Sequence, residues 1–431
     1  MADVRPFQGA RYNPDRLSDY SAVIAPPYDV ISDRYREELL DRHPHNAVRL
    51  VLSQEMEGDS EADNKYTRAA STLRTWIADS ILLEDSTDSF YVYDQTYDTS
   101  ATGRRTRRGL IAAVRVEPWE KGIIRPHEQT FPKATRDRLQ LLRASRANFS
   151  TVFGLYDDPE QRVESILRLC TAGAPDMEAT DDDGVVHRVW RMDCASASAE
   201  VHSAFSEWEI LIADGHHRYE TALAYRNEVR GQSSSWTGEE PENFTLMTLV
   251  NLRSPGLTIL PTHRLLHGNG GGVTDILTRA EIFFDIKELP ATIAASQALD
   301  LLKQSADAHS FGFVTPHRAF QMTARPQLLS HPLLPDDKSE AYRKLDVTLL
   351  HAFILDPVLR QSDPVSELTY IKDAEEGVAA VRDGQGSMVF LLNATRLDEV
   401  LAVARAGEKM PHKATYFYPK VFSGIVMRKL S

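Results

Sequence analysis

The chain has 431 residues, 42% hydrophobic and 26% charged, an ordinary globular balance on a length that calls for two or three domains. Its net charge of −13 argues against a protein that grips nucleic acid through a bulk positive field. Two cysteines, Cys170 and Cys194, are too few for a disulfide framework or a cysteine-rich zinc site.

No apolar run reaches the ~20 residues of a membrane span, and the opening MADVRPFQGARYNP carries no basic-then-apolar leader, so a cytoplasmic protein is the expectation. In chain order, Val23-Ile24-Ala25 reads as a short strand stopped by Pro26-Pro27, which puts Tyr28 and Asp29 on a loop. Ser32 or Asp33 would cap a helix through Leu40, and NAVRLVLSQ (46–54) reads as a strand. Apolar spacing predicts a helix over 64–78. SFYVYDQTYD and RRGLIAAVRVEPW form a β-hairpin around an arginine-rich turn. A polar loop at 124–134 leads to a helix over 135–146 and a strand at 151–156, and 157–200 reads as rim loops and a helix.

EWEILIADGHHRYETALAYRNE (207–228) reads as strand, tight turn and helix. Ile210-Leu211-Ile212-Ala213 is a buried strand, Asp214-Gly215 is turn chemistry, and apolar positions then recur at helical spacing. Open N–H groups at such a helix start attract anions, and His216, His217 and Arg218 add donors there. The plainer alternative is an Asp cap on an ordinary helix. Downstream, NFTLMTLVNL is another buried strand. The glycine cluster 268–272 marks a domain boundary, followed by strands EIFFDIKEL, SFGFVT, AFQMTA, ELTYIKD and GSMVFLLN, helices at 340–360 and 396–406, and a final strand in FSGIVMR. Strands and helices alternate without a regular βαβ beat, so the fold class is α+β (mixed α/β).

Polar clusters flank the apolar strands: Pro26–Asp29, Arg125–Thr130, Asp214–Arg218, Pro261–Arg264 and GEKMPHKATYFYPK (407–420). Loops at strand ends are where open sheets place ligand contacts. A metal site from His127, Glu128 and His216 is a minor alternative, because adjacent His216 and His217 diverge by about 100° on a helix. No Walker loop, kinase-type glycine loop or nucleophile elbow is present.

IAPPYDVI, RPHEQTFPKATRDRLQLLRASRANFSTVFGLY, IADGHHRYETALAYRNE, ILPTHRLL and GEKMPHKATYFYPKVFSGIV, in that order, resemble the bacterial and archaeal DUF1015 family across nearly the whole chain. The Asp-Gly-His-His-Arg turn is also similar, more distantly, to the phosphate-holding box of the ParB/sulfiredoxin superfamily, which includes the free serine kinases. That resemblance implies a ParB/sulfiredoxin-like nucleotide-binding core with insertions over 1–267, and a second mixed α+β domain over 268–431 that contributes to the pocket. It places nucleotide phosphate on Asp214, Gly215, His216, His217 and Arg218. Asp29 or Glu128 would be the base, with Arg264 on the transferred charge and His127, Lys413 and Tyr418 on the substrate; Lys413 is an alternative to Arg264. ATP or ADP with Mg²⁺, held by the phosphates and Asp214, would be the cofactors.

The expected activity is a nucleotide-dependent phosphotransferase acting on a small hydroxylated metabolite, free serine being one candidate. A non-catalytic nucleotide switch and a metal-assisted phosphoester hydrolase are the alternatives. The expected partners are a nucleotide and a small molecule, with neither membrane nor nucleic acid.

Overall fold

The computed structural model describes residues 1–99, 103–268, 272–361 and 367–430. The hairpin turn at 100–102 and the middle of the glycine cluster, 269–271, lie outside them. The fold is mixed α and β, and the chain divides into two compact units: Met1–Leu257 with Pro419–Ser431, and Thr258–Tyr418.

The first unit runs β1 (Val4–Arg5), β2 (Gly9–Tyr12), α1 (Asp33–Arg42), α2 (Val48–Val51), α3 (Lys65–Ala78), β3 (Leu82–Glu84), β4 (Phe90–Thr99) and β5 (Gly103–Arg115). It continues through β6 (Ile124–Arg125), α4 (Pro132–Ser145), β7 (Ala147–Asn148), β8 (Val152–Tyr156), α5 (Arg162–Cys170), β9 (Met177–Thr180) and β10 (Val186–Met192). Helix α6 (Ala195–Phe205), β11 (Ile210–Asp214), α7 (His216–Gln232) and β12 (Phe244–Asn251) follow. Among the described residues these strands build a sheet in the order β6-β11-β8-β12-β5-β4-β10-β9, with β1 against β5.

Period-two alternation decides which face of that sheet is buried under helices. Phe90 and Val92 of β4, Leu110, Ala112 and Val114 of β5, Ile210 and Ile212 of β11, and Met247 and Leu249 of β12 share one core cluster. Val163 and Leu167 of α5, Val201 and Phe205 of α6 and Tyr219 of α7 close it. A second cluster gathers Leu50, Val51, Leu73, Trp76, Leu141 and Phe149 from α2, α3, α4 and the chain after β7. There a smaller sheet pairs β3, β2, the C-terminal strand Met427–Lys429 and β7.

Several predicted elements stand where the spacing put them. Helix α3 starts on an Asn64–Thr67 capping box, and Ser32 caps α1 through the Tyr35 amide. The β4–β5 hairpin runs in register from Tyr91↔Ile111 to Thr99↔Gly103. Two predicted strands are not strands. Residues Val48–Val51 form the single-turn helix α2, because Asn46 turns the chain and its side-chain oxygen takes the Val48 amide. Residues 23–25 give only one isolated bridge, Ala25↔Ser423, since Pro26 and Pro27 offer no N–H to a ladder. The 157–200 segment holds more than a rim: α5, the β9–β10 hairpin and α6 are all there.

In the second unit, β13 (Thr258–Leu260) pairs with Tyr416–Tyr418. Strand β14 (His263–His267) lies inside a larger sheet, between Met388–Leu391 and Glu367–Ile371. The unit break therefore falls before the glycine cluster rather than at residue 267, and the last stretch of chain returns to the first unit. Strand pairing between segments far apart in sequence sets both boundaries.

Candidate functional site

Strand β11 ends at Asp214 and α7 begins at His216, so Gly215 must reverse the chain in one residue. Its φ of 89° lies in the left-handed region, and a Cβ there would sit 2.8 Å from Arg218 Nε. Glycine is thus required twice, for the turn and for the guanidinium laid over it. Among the described residues no side chain caps α7 by hydrogen bond, so the helix begins on a positively polarised N-terminus without a cap.

Behind that start sits a charge cluster. Arg218 Nη2 donates to Asp214 Oδ2 at 2.8 Å, Lys420 Nζ donates to Asp214 Oδ1 at 2.8 Å, and Arg218 Nη1 donates to the Thr151 carbonyl. Burial would raise the Asp214 carboxyl, but Lys420 and Arg218 overcome it and hold that group well below the usual carboxylate range. Arg218 Nε is buried with no hydrogen-bond partner among the described residues. With both oxygens on cations, Asp214 is unsuited to the Mg²⁺ and phosphate roles the sequence suggested for it. It anchors Arg218 instead.

The histidines also differ from expectation. His216 Nε2 accepts the His127 backbone N–H at 3.2 Å, and His217 Nε2 accepts the Phe131 backbone N–H at 2.8 Å. Both imidazoles fasten the 125–131 loop to the helix start through Nε2. An accepting Nε2 places the neutral ring's proton on Nδ1. In His216 that atom lies 3.7 Å from Glu128 Oε2. Burial pulls the half-buried His217 ring down, against the opposing charges of Asp29, Glu220 and Glu128.

His127 is fully buried, its Nδ1–H donates to the Ile212 carbonyl at 2.6 Å, and burial lowers its pKa to about 4. It is a neutral structural histidine and does not fit the substrate role. Asp29 is exposed on the Tyr28–Val30 turn. The Tyr28 ring carries the Arg138 guanidinium 4.2 Å from its centroid, and burial, aided by Asp29, pushes its hydroxyl up to about 12. Tyr28, Arg138, Asn148, Ser150, Arg218 and Thr221 line a cavity of about 60 Å³. Three of the predicted clusters, 26–29, 125–130 and 214–218, are therefore gathered within the first unit.

Arg264, Lys413 and Tyr418 belong to the second unit. Arg264 is fully buried, donates to the carbonyls of Thr262 and Lys413, and stacks 4.8 Å from the Tyr370 centroid. Burial draws its pKa down to about 10. Its donors are spent within that unit, on two backbone carbonyls and, from Nε, on His351 Nε2 at 3.4 Å, which does not fit a role on transferred charge. Lys413 is exposed with φ 55°, and Tyr418 pairs with Thr258 while Lys372 lies over its ring. Lys420, left without a role by sequence reasoning, proves central, and nothing local in YPKVFSG signals its partner.

The model of the family described as "Protein of unknown function (DUF1015)" matches residues 4–348. The chain belongs to the DUF1015 family. Curated proteins yield no match to this DUF1015 chain. Among solved structures it is similar to a conserved hypothetical protein from Pyrococcus furiosus at 14% identity and a TM-score of 0.32, over 69% of this chain and 89% of that one. A free serine kinase variant in complex with AMP matches at 14% identity and a TM-score of 0.35, over 69% and 88%. A C-terminally truncated SbnI from Staphylococcus aureus matches at 9% and 0.35, over 73% and 85%. Among the described residues of this DUF1015 protein, no helix is long and apolar enough to cross a membrane.

Proposed function

We propose that the start of α7 holds the phosphates of ATP or ADP, and that the protein transfers a phosphoryl group to the hydroxyl of a small metabolite. The observation that carries this reading is the uncapped helix start at Gly215 with the Arg218 guanidinium over it and its Nε uncommitted. With a TM-score of 0.35, the likeness to a kinase bound to AMP adds nothing to these residues' own chemistry.

Phosphoryl transfer requires positioning and charge neutralisation more than covalent work by the protein. The amides of His217 and Arg218 present donors to phosphate oxygens, and Arg218 supplies positive charge held in place by Asp214 and Thr151. Glu128, with the His216 Nδ1–H beside it, takes the proton from the acceptor hydroxyl as the new phosphorus–oxygen bond forms and the bond from that phosphorus to the nucleotide's bridging oxygen breaks, releasing the nucleotide shortened by one phosphate. Asp29 is the second carboxylate within reach of the same electrostatic field. Any Mg²⁺ travels with the nucleotide phosphates, as that ion commonly does. The hydrolase alternative draws less support: one ring nitrogen each of His127, His216 and His217 is committed to a backbone group, and no group of three or more His, Cys, Asp or Glu placed to hold a metal ion stands among the described residues.

Isothermal titration of the full chain with ATP and with ADP tests the reading. The wild type should bind one of them, and Arg218→Ala should lose at least about tenfold in affinity, or about 1.4 kcal/mol. Arg218→Lys keeps the charge near Asp214 and controls for folding. Absence of binding by the wild type, or equal binding by both variants, rejects the phosphate site; binding without product from a metabolite pool rejects the transfer.

A further inference from the structure

Cys170 and Cys194 are the only cysteines of the chain, and the fold draws them to one place. Strands β9 and β10 form an antiparallel hairpin whose open end sets Met177 opposite Val189. The closure continues past the ladder: the Asp176 amide donates to the Val189 carbonyl at 2.8 Å, and Trp190 Nε1–H to the Gly173 carbonyl at 2.9 Å. Each leg then meets a helix at that same end. Helix α5 finishes on Cys170 and Cys194 immediately precedes α6. The two helices pack on each other, with Val163, Leu167, Val201 and Phe205 in one cluster and Cys170 against it.

The two thiols sit in unlike surroundings. Cys194 is exposed at the mouth of α6, with Sγ 3.2 Å from Ser196 Oγ, where the helix dipole favours a thiolate. The Ser196 hydroxyl and the Ala197 amide hold its thiol below the usual range. Cys170 is half-buried; burial, reinforced by the charge of Cys194, pushes its thiol up, with Arg108 opposing. One is fitted to react first and the other to respond.

We infer that Cys194 and Cys170 form a reversible redox pair, in which a peroxide oxidises Cys194 and Cys170 closes a disulfide across the base of the β9–β10 hairpin. The Cys194 thiolate attacks one peroxide oxygen; the sulfur–oxygen bond forms, the oxygen–oxygen bond breaks, and the departing hydroxide takes a proton as water. Sulfur is thereby oxidised to sulfenic acid by two electrons and the peroxide reduced. The Cys170 sulfur, giving up its proton, then attacks Cys194, and a second water leaves as the disulfide forms. A dithiol reductant returns both thiols by exchange.

Hydrogen peroxide applied to the full chain tests this. The intact mass should fall by two hydrogens, a tryptic map should show Cys170 linked to Cys194, and dithiothreitol should reverse both. Cys170→Ser should strand Cys194 as a sulfenic acid that dimedone captures. Cys194→Ser should slow thiol oxidation at neutral pH about tenfold or more. A disulfide only between chains, over-oxidation with no linked peptide, or equal oxidation of Cys194→Ser overturns the assignment. Both replacements are near-isosteric, and circular dichroism reports whether either variant has lost its fold.

Discussion

Lys420 Nζ lies 2.8 Å from Asp214 Oδ1, and Arg218 Nη2 lies 2.8 Å from the other oxygen of the same carboxylate. One acid thus holds two cations, one from its own turn and one from the C-terminal segment. All three side chains are largely buried, at 14%, 16% and 11% exposure for Lys420, Asp214 and Arg218.

Removing one partner of such a group leaves buried charge less fully compensated. Lys420→Met leaves Arg218 on Asp214 and should cost about 3 kcal/mol, the low end for a broken buried pair. Asp214→Asn strands both cations and should cost more. Guanidinium denaturation with each variant measures the order, and a Lys420→Met protein as stable as the wild type would make the contact incidental.

The same acid sets part of the acid sensitivity. Its folded pKa is depressed, so its contribution is present above the unfolded carboxylate value of about 3.9 and is lost as pH falls below it. Asp137 behaves alike: burial alone would raise it, yet Arg138 and Lys65 bring it down to about 2. Asp214→Asn should flatten the stability profile between about pH 4 and pH 2, with Asp137 supplying what slope remains.

His127 acts in a higher window. It is buried neutral with a pKa of about 4 against an unfolded value of about 6.5, so the unfolded chain takes up a proton first as pH falls. Stability is full above about pH 6.5 and should decline below it toward pH 4 by about 1.4 kcal/mol per pH unit for this group. His263, also lowered to about 4 by burial, adds the same behaviour in the second unit. His127→Asn, which offers a donor near the Nδ1 position, should reduce the slope by about 1.4 kcal/mol per pH unit, read by denaturation at pH 7, 6 and 5, with His263, His187 and His217, also lowered by burial, supplying the remainder.

Gly215→Ala places a methyl at φ 89°, 2.8 Å from Arg218 Nε. Strain of about 1–3 kcal/mol is expected, together with a displaced Arg218. A melting temperature unchanged from wild type would show that the turn relaxes freely.

His216→Ala should release the 125–131 loop more than His217→Ala. The His127 amide it frees is buried and would cost about 1–3 kcal/mol unpaired, whereas the Phe131 amide is exposed and can turn to water. Limited proteolysis within that loop distinguishes them. Separately, Glu128→Gln should keep nucleotide affinity and cut transfer by about 10²–10⁴; full turnover would pass the role to Asp29.

The strand–glycine–helix order at 210–232 was legible because its signals are local. A β-type apolar run, a residue free to adopt positive φ and a helical repeat occupy adjacent positions, and each acts on its own backbone. The capping box at Asn64 and the β4–β5 hairpin were readable for the same reason. The strands predicted at 23–25 and 46–54 failed because β propensity counts only where a neighbouring strand is available, and there a turn or a pair of prolines left none.

Sequence by itself determined the family, the two-unit scale and the residues worth watching. It could not tell that His127 faces inward, that two imidazoles accept backbone amides, or that Asp214 is already taken by Lys420 and Arg218. Those facts depend on which distant segments meet once strands pair and burial removes water. A polar side chain's role follows from the partner that replaces that water, and only the tertiary structure chooses the partner.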